Sequence, residues 1–490
     1  MSQHQSAPAS WGELLSGRNG LRSLAVAGGV ALHAVNVYIA TTILPSVVRD
    51  IGGLEYYAWN MTLFVAASIM ASALSAKAFD ALGLKRAFLL AIALFSMATT
   101  VCALAPSMAW MLFGRTLQGL GGGLLLGLCY SSIRVVFPER LWTRAMGLTS
   151  SMWGVATLSG PAIGGIFAQS GHWRWAFGAI LPVAAGLAWL VVREINETTV
   201  SNADAPRQKV NVPVGKVALI VLSVLVVSAG SLSTAVYWNA LGIVAGLAVA
   251  FYVSRLDQRP GTSRWLPDGA WSVRQAMGSI YACVGLMSTA ITVEIFIPYF
   301  LQTIHGFEPL PAGYMTALMS LGWTMGSITS SGRDAAAARL FMRSGPAVST
   351  VSLLGLFVLM PWLGVMDSAW VLVLSVSMFG VGLGIGICWP HLLAQVFRSA
   401  PSGQESIASS AMITIQLYAL ALGSTLAGMI VNAAGMTDPG GVEGAVSAST
   451  ALFVLFAIAP ATAFFVMARV VAAKVETDQV ARQKTRATDA

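Results

Sequence analysis

Charge is what this 490-residue chain has least of. Only 10% of its residues are Asp, Glu, Lys or Arg, against about 25% in a typical soluble protein. A soluble chain of this length would divide into several domains, each needing its own polar surface. Acid is scarcer than base, with 20 Asp and Glu against 28 Lys and Arg. Cysteine is scarce too: Cys102, Cys129, Cys283 and Cys388 all lie inside apolar runs and form neither a CxxC nor a metal-ligand pair. That excludes a disulfide framework and a cysteine metal centre, and no metal and no cofactor is expected. There is no Gly-x4-Gly-Lys-Ser/Thr phosphate loop, so nothing points to ATP hydrolysis. Without a nucleophile–base or metal constellation, an enzyme is not expected either. The polar stretch Met1 to Arg22 has no cleavage pattern ahead of the first apolar run, so no signal peptide is expected. The sequon Asn196-Glu197-Thr198 falls in an expected cytoplasmic loop and carries no weight.

What is abundant is apolar sequence, 56% of the chain. It is gathered into runs of roughly 18 to 25 residues, the length that crosses a bilayer as a helix. The runs do not alternate at period two, which disfavours an outer-membrane barrel. Fourteen spans are predicted, near 22–45, 56–78, 86–105, 108–133, 144–169, 174–193, 214–231, 237–254, 276–301, 310–330, 346–365, 369–393, 405–432 and 447–472. The pair near 214–231 and 237–254 has a very short connecting loop.

The net charge of +8 would suggest nucleic acid in a soluble chain. Here the basic residues flank apolar runs, so they report topology, and no nucleic-acid partner is expected. With the N-terminus in the cytoplasm, all of the 28 Lys and Arg fall on the inner side except Arg49 and Arg174 outside and Arg115 within a span. Such asymmetry is the positive-inside pattern. It implies an even number of spans with both termini cytoplasmic. The halves echo each other faintly. Span five reads Gly160-Pro161-Ala162-Ile163-Gly164-Gly165 before Gly171, and span thirteen reads Gly423-Ser424-Thr425-Leu426-Ala427-Gly428 before Gly435. Internal repeats of this kind are a habit of transporters, whose substrate sites lie at the repeat interface.

Three motifs follow in order. After span two the chain reads Ala76 to Arg86, with Asp80 and Gly83 three residues apart and then the basic pair Lys85-Arg86. Gly83 permits a tight turn, and Asp80 can accept from a helix N-terminus or a basic partner. Span four holds Arg115-Thr116-Leu117-Gln118-Gly119 and then Gly121, Gly122 and Gly123. An intramembrane Arg faces a bundle interior, a partner or water, unless it snorkels to the interface. The glycines admit a close neighbouring helix. Span five has Gly147, Gly160-Pro161 and Gly164-Gly165, a small-residue groove with a proline bend.

Together these resemble the signatures of the major facilitator superfamily. The spacing in span five is similar to its antiporter motif, save that Ala156 stands where that motif has Gly; likewise Ala76 replaces the first Gly of the loop signature. Trp173-Arg174-Trp175 resembles the start of helix six in the fourteen-helix drug:proton antiporters, with an interfacial aromatic belt as the plainer reading. Those antiporters carry an Asp nine residues before Pro45, where this chain has Asn36. The resemblance implies an all-α integral membrane protein of the major facilitator fold, two six-helix bundles plus two extra central helices. The domains expected are a cytoplasmic tail 1–21, a bundle 22–193, a loop 194–213, an inserted helix pair 214–254, a loop 255–275, a bundle 276–472 and a tail 473–490. The implied function is proton-coupled export of amphipathic drug-like molecules from the cell across the inner (plasma) membrane, with small-molecule substrate, protons and membrane lipid as partners.

An amide at position 36 cannot carry a proton. His33, one turn earlier on the same face, titrates near neutrality and can stand in, or serve as a hydrogen-bonded structural residue. Among the acids, Glu294 lies well inside a span, with Pro298 four residues on weakening the helix there. Proton coupling is assigned to Glu294, Arg115 and His33, with a Glu–Arg pair broken by protonation. The alternative is a Glu294 exposed in an outer vestibule with no coupling role. Asn36, Gln118, Trp153, Tyr299 and Gln416 are expected at the substrate cavity, whose mainly apolar lining suits amphipathic or aromatic substrates. Asp80, Gly83, Lys85 and Arg86 make the cytoplasmic gate motif. Two other readings stay open: a narrow exporter of one endogenous metabolite, such as a siderophore or antibiotic, and a non-transporting membrane sensor or scaffold.

Overall fold

Inside a bilayer the backbone has no water to bond with, and a helix satisfies every N–H and C=O within its own segment. The computed structural model is helical accordingly, with no strand among the described residues. It describes residues 10–195, 213–232, 235–259, 264–331, 333–363, 367–401 and 404–488. Nearly all of the expected loop 194–213, with Asn196 to Thr198, and the outer ends of both tails lie outside them.

The helices are α1 (Trp11–Leu15), α2 (Gly17–Ile51), α3 (Trp59–Leu82), α4 (Leu84–Ala103), α5 (Met108–Val136) and α6 (Trp142–Gln169). Then come α7 (Trp173–Gly178), α8 (Ile180–Glu194), α9 (Val214–Gly230), α10 (Val236–Asp257), α11 (Ala276–Ile291) and α12 (Ile297–His305). The last five are α13 (Pro309–Ser330), α14 (Ala335–Leu359), α15 (Ser368–Ser399), α16 (Glu405–Ala433) and α17 (Gly441–Thr488). Each of the fourteen expected spans overlaps a helix of this series, that at 346–365 only as far as the end of α14 at Leu359. Two are split: 174–193 is α7 followed by α8, and 276–301 is α11, a 3-10 turn at Thr292–Ile295, then α12. The last helix runs past the expected end at 472 to Thr488. Ten helical stretches among the described residues are long and apolar enough to cross a membrane by length and composition, and α9 is a shorter apolar helix. Local chemistry sets several ends. Asp334 and Asp367 cap α14 and α15 by accepting from the backbone N–H of Ala337 and Trp370 at 2.9 and 2.8 Å, which satisfies donors that a helix start leaves open.

Contacts divide the chain into two compact units: residues 1–53, 63–221 and 308–314, and residues 54–62, 222–307 and 315–490. In the first, α2 packs on α5, α6 and α8, and α4 packs on α5 and α8. In the second, α11 packs on α15, α16 and α17, and α14 packs on α15 and α17. Numbered by span within each half, the two sets of pairings are the same. The glycines repeat as well. In α5, Gly119 and Gly123 press against the carbonyls of Phe64 and Ser68 on α3, and Gly121 against Phe95 on α4. In α15, Gly382 and Gly386 press against the carbonyls of Met319 and Trp323 on α13, and Gly384 against Gly345 and Ser349 on α14. A side chain at any of these would hold the helices apart, which is how small residues drive packing where lipid removes the hydrophobic incentive.

The helices α9 and α10, expected as an inserted pair, pack closely together. Gly230 and Gly242 face each other, and Gly246 packs on Val227 and the carbonyl of Ser223. At the end of α10 Asp257, buried, accepts from the backbone N–H groups of Trp265 and Leu266 at 2.7 and 3.1 Å and from Trp271 Nε1 at 3.1 Å. Those bonds fold the chain after α10 back on itself. Asp268 and Gln404 then exchange two hydrogen bonds, of 2.9 and 2.7 Å, which tie this strap to the start of α16.

Candidate functional site

The first unit has a polar core on three helices. α2 supplies His33 and Asn36, α4 supplies Thr99 and Cys102, and α5 supplies Arg115 and Gln118. Residues three apart on a helix share a face, so each helix presents its pair together. Gln118 is the hub. Its Nε2 donates to Asn36 Oδ1 at 2.9 Å and to Thr99 Oγ1 at 2.8 Å, and its Oε1 accepts from Arg115 at 2.5 Å. Arg115 is 1% exposed, and its guanidinium lies 4.1 Å from the Phe64 ring centroid. The charge is thus met by a carbonyl dipole and a π face, not carried to the interface. The His33 ring lies 5.2 Å from Phe64 and 6.1 Å from Trp153, and it closes over Gly122. Two polar atoms in this core, His33 Nδ1 and Asn36 Nδ2, have no hydrogen-bond partner. His33, Asn36, Arg115, Gln118 and Trp153, expected from the sequence, are therefore brought together; Phe64, Thr99 and Cys102 join them unannounced.

The antiporter motif lies along α6 where it packs on α2. Gly160 meets Tyr38, and Gly164 meets Ile39 and Thr42. Gly165 meets Leu310, and Pro161 meets Gly313, on the part of α13 that belongs to this unit. Ala156, where the pattern has Gly, is fully buried. Gly147 has only the Trp11 ring near it, so packing does not require a glycine there. In the loop motif Gly83 adopts φ 77° as the single residue between α3 and α4, a conformation that favours glycine. Lys85 Nζ donates to the Val192 carbonyl at 2.7 Å, while Asp80 is exposed at the end of α3. Trp173 Nε1 and Arg174 both bond Asp50 at the end of α2, and Arg174 also reaches the Ala105 carbonyl at 3.1 Å. The Trp-Arg-Trp segment is thereby a tie between helix ends as well as an aromatic surface.

In the second unit Glu294 sits on the 3-10 turn that breaks span nine. Pro298 belongs at the start of α12, where its missing N–H is not needed. Glu294 Oε2 is buried and has no hydrogen-bond partner, as has Ser288 Oγ on α11. Aromatic rings surround the start of α12: Tyr57 stacks on Phe296 at 5.0 Å and meets Tyr299 edge-on at 5.7 Å, and Phe300 meets Phe453 at 6.1 Å. Tyr57 is buried with its hydroxyl unpartnered. Gln416 is half-buried on α16. Tyr57 and Ser288 carried no sequence signal, since a single Tyr or Ser in an apolar run has no period or partner to mark it.

The family model of the Major Facilitator Superfamily matches residues 26–424. The chain belongs to the major facilitator superfamily. A probable multidrug-efflux transporter of Mycobacterium tuberculosis (strain ATCC 25618 / H37Rv) is 36% identical over 480 residues, covering 94% of this chain and 96% of that one. Multidrug resistance protein 3 of Bacillus subtilis (strain 168) is 26% identical, covering 82% and 77%. Among solved structures, a POT family transporter in complex with a thioalcohol-conjugated peptide superposes with a TM-score of 0.65 at 15% identity, covering 93% and 96%. An inward-facing bacterial homologue of the human lysosomal transporter Spinster gives 0.58 at 15%. At such identities these two structures speak for the fold alone. The chain is a multi-pass membrane transporter of small-molecule substrates, and not an enzyme.

Proposed function

We propose that this chain is a proton-coupled exporter, an antiporter that moves amphipathic drug-like molecules out of the cell by alternating access. In this reading it crosses the inner (plasma) membrane fourteen times with both termini in the cytoplasm. Glu294 carries the proposal: a carboxyl group in the break of a membrane helix, with one buried oxygen lacking a hydrogen-bond partner. A proton there changes the charge of the second unit's interior by one, and the break lets that change be felt by two half-helices. Arg115 and His33 serve the first unit as a fixed cation and a second titratable group. Proton arrival from outside and substrate occupancy from inside bias opposite states, which is sufficient for exchange. The names of the mycobacterial and Bacillus relatives support a multidrug range, and the aromatic side chains about Glu294 and His33 suit flat, apolar substrates.

The test is dye efflux from proteoliposomes under an imposed pH gradient, wild type against Glu294→Gln. Gradient-driven efflux in the wild type and its loss in the variant, with substrate binding kept, is the expected result. Equal efflux from both removes Glu294 from coupling and moves the assignment to His33. Failure of the wild type to move any of several unrelated cationic dyes ends the multidrug reading in favour of a single endogenous metabolite.

A further inference from the structure

The segment Leu54–Thr62 comprises the link after α2 and the first turn of α3, yet its contacts belong to the second unit. Hydroxyl groups from three separate stretches of that unit meet there. Thr62 Oγ1 lies 2.9 Å from Ser424 Oγ and 3.2 Å from Thr425 Oγ1 on α16, and Ser228 Oγ on α9 lies 2.7 Å from Thr425 Oγ1. All four residues are at most 2% exposed. The default for a buried helical hydroxyl is a bond to the carbonyl four residues back. Thr425 already donates to Ala421 that way at 2.9 Å, so satisfaction alone does not require Ser228 or Thr62. Around this node α16 holds the segment from one side: Asn432 donates to the Glu55 carbonyl at 3.0 Å, and Gly428 packs on Ala58. From the other side the residue that follows α9 holds it, with Trp59 Nε1 donating to Ser231 Oγ at 3.4 Å. A further bond, Ser223 Oγ to Tyr418 Oη at 3.2 Å, joins α9 to α16 a turn or more away, and the Asp257 strap joins the pair to α16 at its other end.

We propose that the inserted helix pair completes a clasp on Leu54–Thr62, with Thr425 as the positioning residue through which Ser228 reinforces α16's hold. The idea rests on the transporter topology proposed above, in which this segment faces the outside and must be released when the outer side opens. α9, α10 and the strap then do more than link the halves: fastened to α16 along its length, they set how long the outer side stays shut. A contact made in one state and lost in the other biases the equilibrium by its own strength and no more. Hydroxyl pairs between membrane helices are of modest strength, so each is worth about a threefold, at most about a twentyfold, change in how often the clasp opens.

The experiment is hydrogen–deuterium exchange of the peptide covering residues 54–62, on the full chain in lipid nanodiscs. Ser228→Ala and Thr425→Val are each expected to speed exchange there about three- to tenfold. Thr425→Ser, which keeps the hydroxyl, should restore near-wild-type protection. The double variant should lose little more than Thr425→Val alone, because that variant already removes the Ser228 bond. Ser349→Ala is the control: that buried hydroxyl bonds the Val381 carbonyl at 2.9 Å in the same unit, away from the node. Unchanged exchange of residues 54–62 in the first two variants overturns the clasp, and so does an equal loss of protection in the control. The readout needs no substrate. Protection that changes as expected in a protein that moves no dye keeps the clasp and defeats only the multidrug reading.

Discussion

The side-chain amide of Gln118 donates to Asn36 at 2.9 Å while its carbonyl accepts from Arg115 at 2.5 Å. One neutral side chain thus links a buried cation on α5 to a buried amide on α2, at the position where the fourteen-helix drug:proton antiporters that the sequence resembles have a carboxylate. Gln118→Leu removes the acceptor from Arg115 and the donor from Asn36 and Thr99 together. A hydrogen bond to a charged group is worth about 1.5–3 kcal/mol, so a loss of about 2–3 kcal/mol is expected. Asn36→Leu, which breaks a neutral bond only, should cost about 1 kcal/mol. Thermal stability of the purified protein measures both. A cost for Asn36→Leu equal to that for Gln118→Leu would mean that the Arg115 bond contributes nothing.

Gly83 stands alone between two helices at φ 77°, with nothing near its Cα to be struck by a side chain. Backbone strain is then the whole cost of substitution. Gly83→Ala should lower stability by about 1–2 kcal/mol and Gly83→Asn by less, because Asn tolerates the left-handed region. Thermal unfolding that ranks Asn below Ala would contradict this account of the turn.

The membrane class, the helix series and the small-residue motifs were legible because each has a period or a spacing. Arg115, Gln118, Asn36 and His33 could each be singled out in advance because charge, amide or imidazole inside an apolar run stands out against its background, but their joining through Gln118 could not, and Arg115 was expected to pair with Glu294. The clasp could not: Thr62, Ser228 and Thr425 are ordinary hydroxyl residues in apolar helices, and only tertiary packing brings them together. The split of span nine was half legible. Pro298 announced a weak turn, but the break begins at Thr292, where α11 gives way to a 3-10 turn that no proline marks. The repeat was read from spans five and thirteen. The fuller repeat is in the fourth spans, where Gly119, Gly121 and Gly123 have the same spacing as Gly382, Gly384 and Gly386.

The antiporter motif contains glycines of two kinds, and substitution should separate them. Gly160 faces the Tyr38 side chain so closely that a Cβ would force α2 and α6 apart, whereas a Cβ at Gly147 would meet the Trp11 ring at an unstrained 3.9 Å. Gly160→Ala is expected to cost about 1–3 kcal/mol by overpacking. Gly147→Ala should be neutral or stabilising by up to about 1 kcal/mol, since Ala favours a helix more than Gly does. If efflux falls in Gly147→Ala while stability holds, that glycine serves a moving state, not the packing seen here.

Asp257 offers the largest single effect. Its carboxylate receives two backbone N–H groups and one indole N–H, and Trp265 and Leu266 beside it are themselves buried. Asp257→Ala leaves those donors without their acceptor, and each such group costs about 1–3 kcal/mol. A total loss of roughly 3 kcal/mol or more is therefore expected, some of it relieved where water reaches the strap. Asp257→Asn keeps one acceptor oxygen and should lose about half as much. Limited proteolysis locates the effect: cleavage between residues 264 and 275 should rise in both variants, more in Asp257→Ala, while sites in the chain before α9 stay as resistant as in the wild type. Cleavage that rises everywhere at once would make Asp257 a support of the whole unit instead of the anchor of its strap.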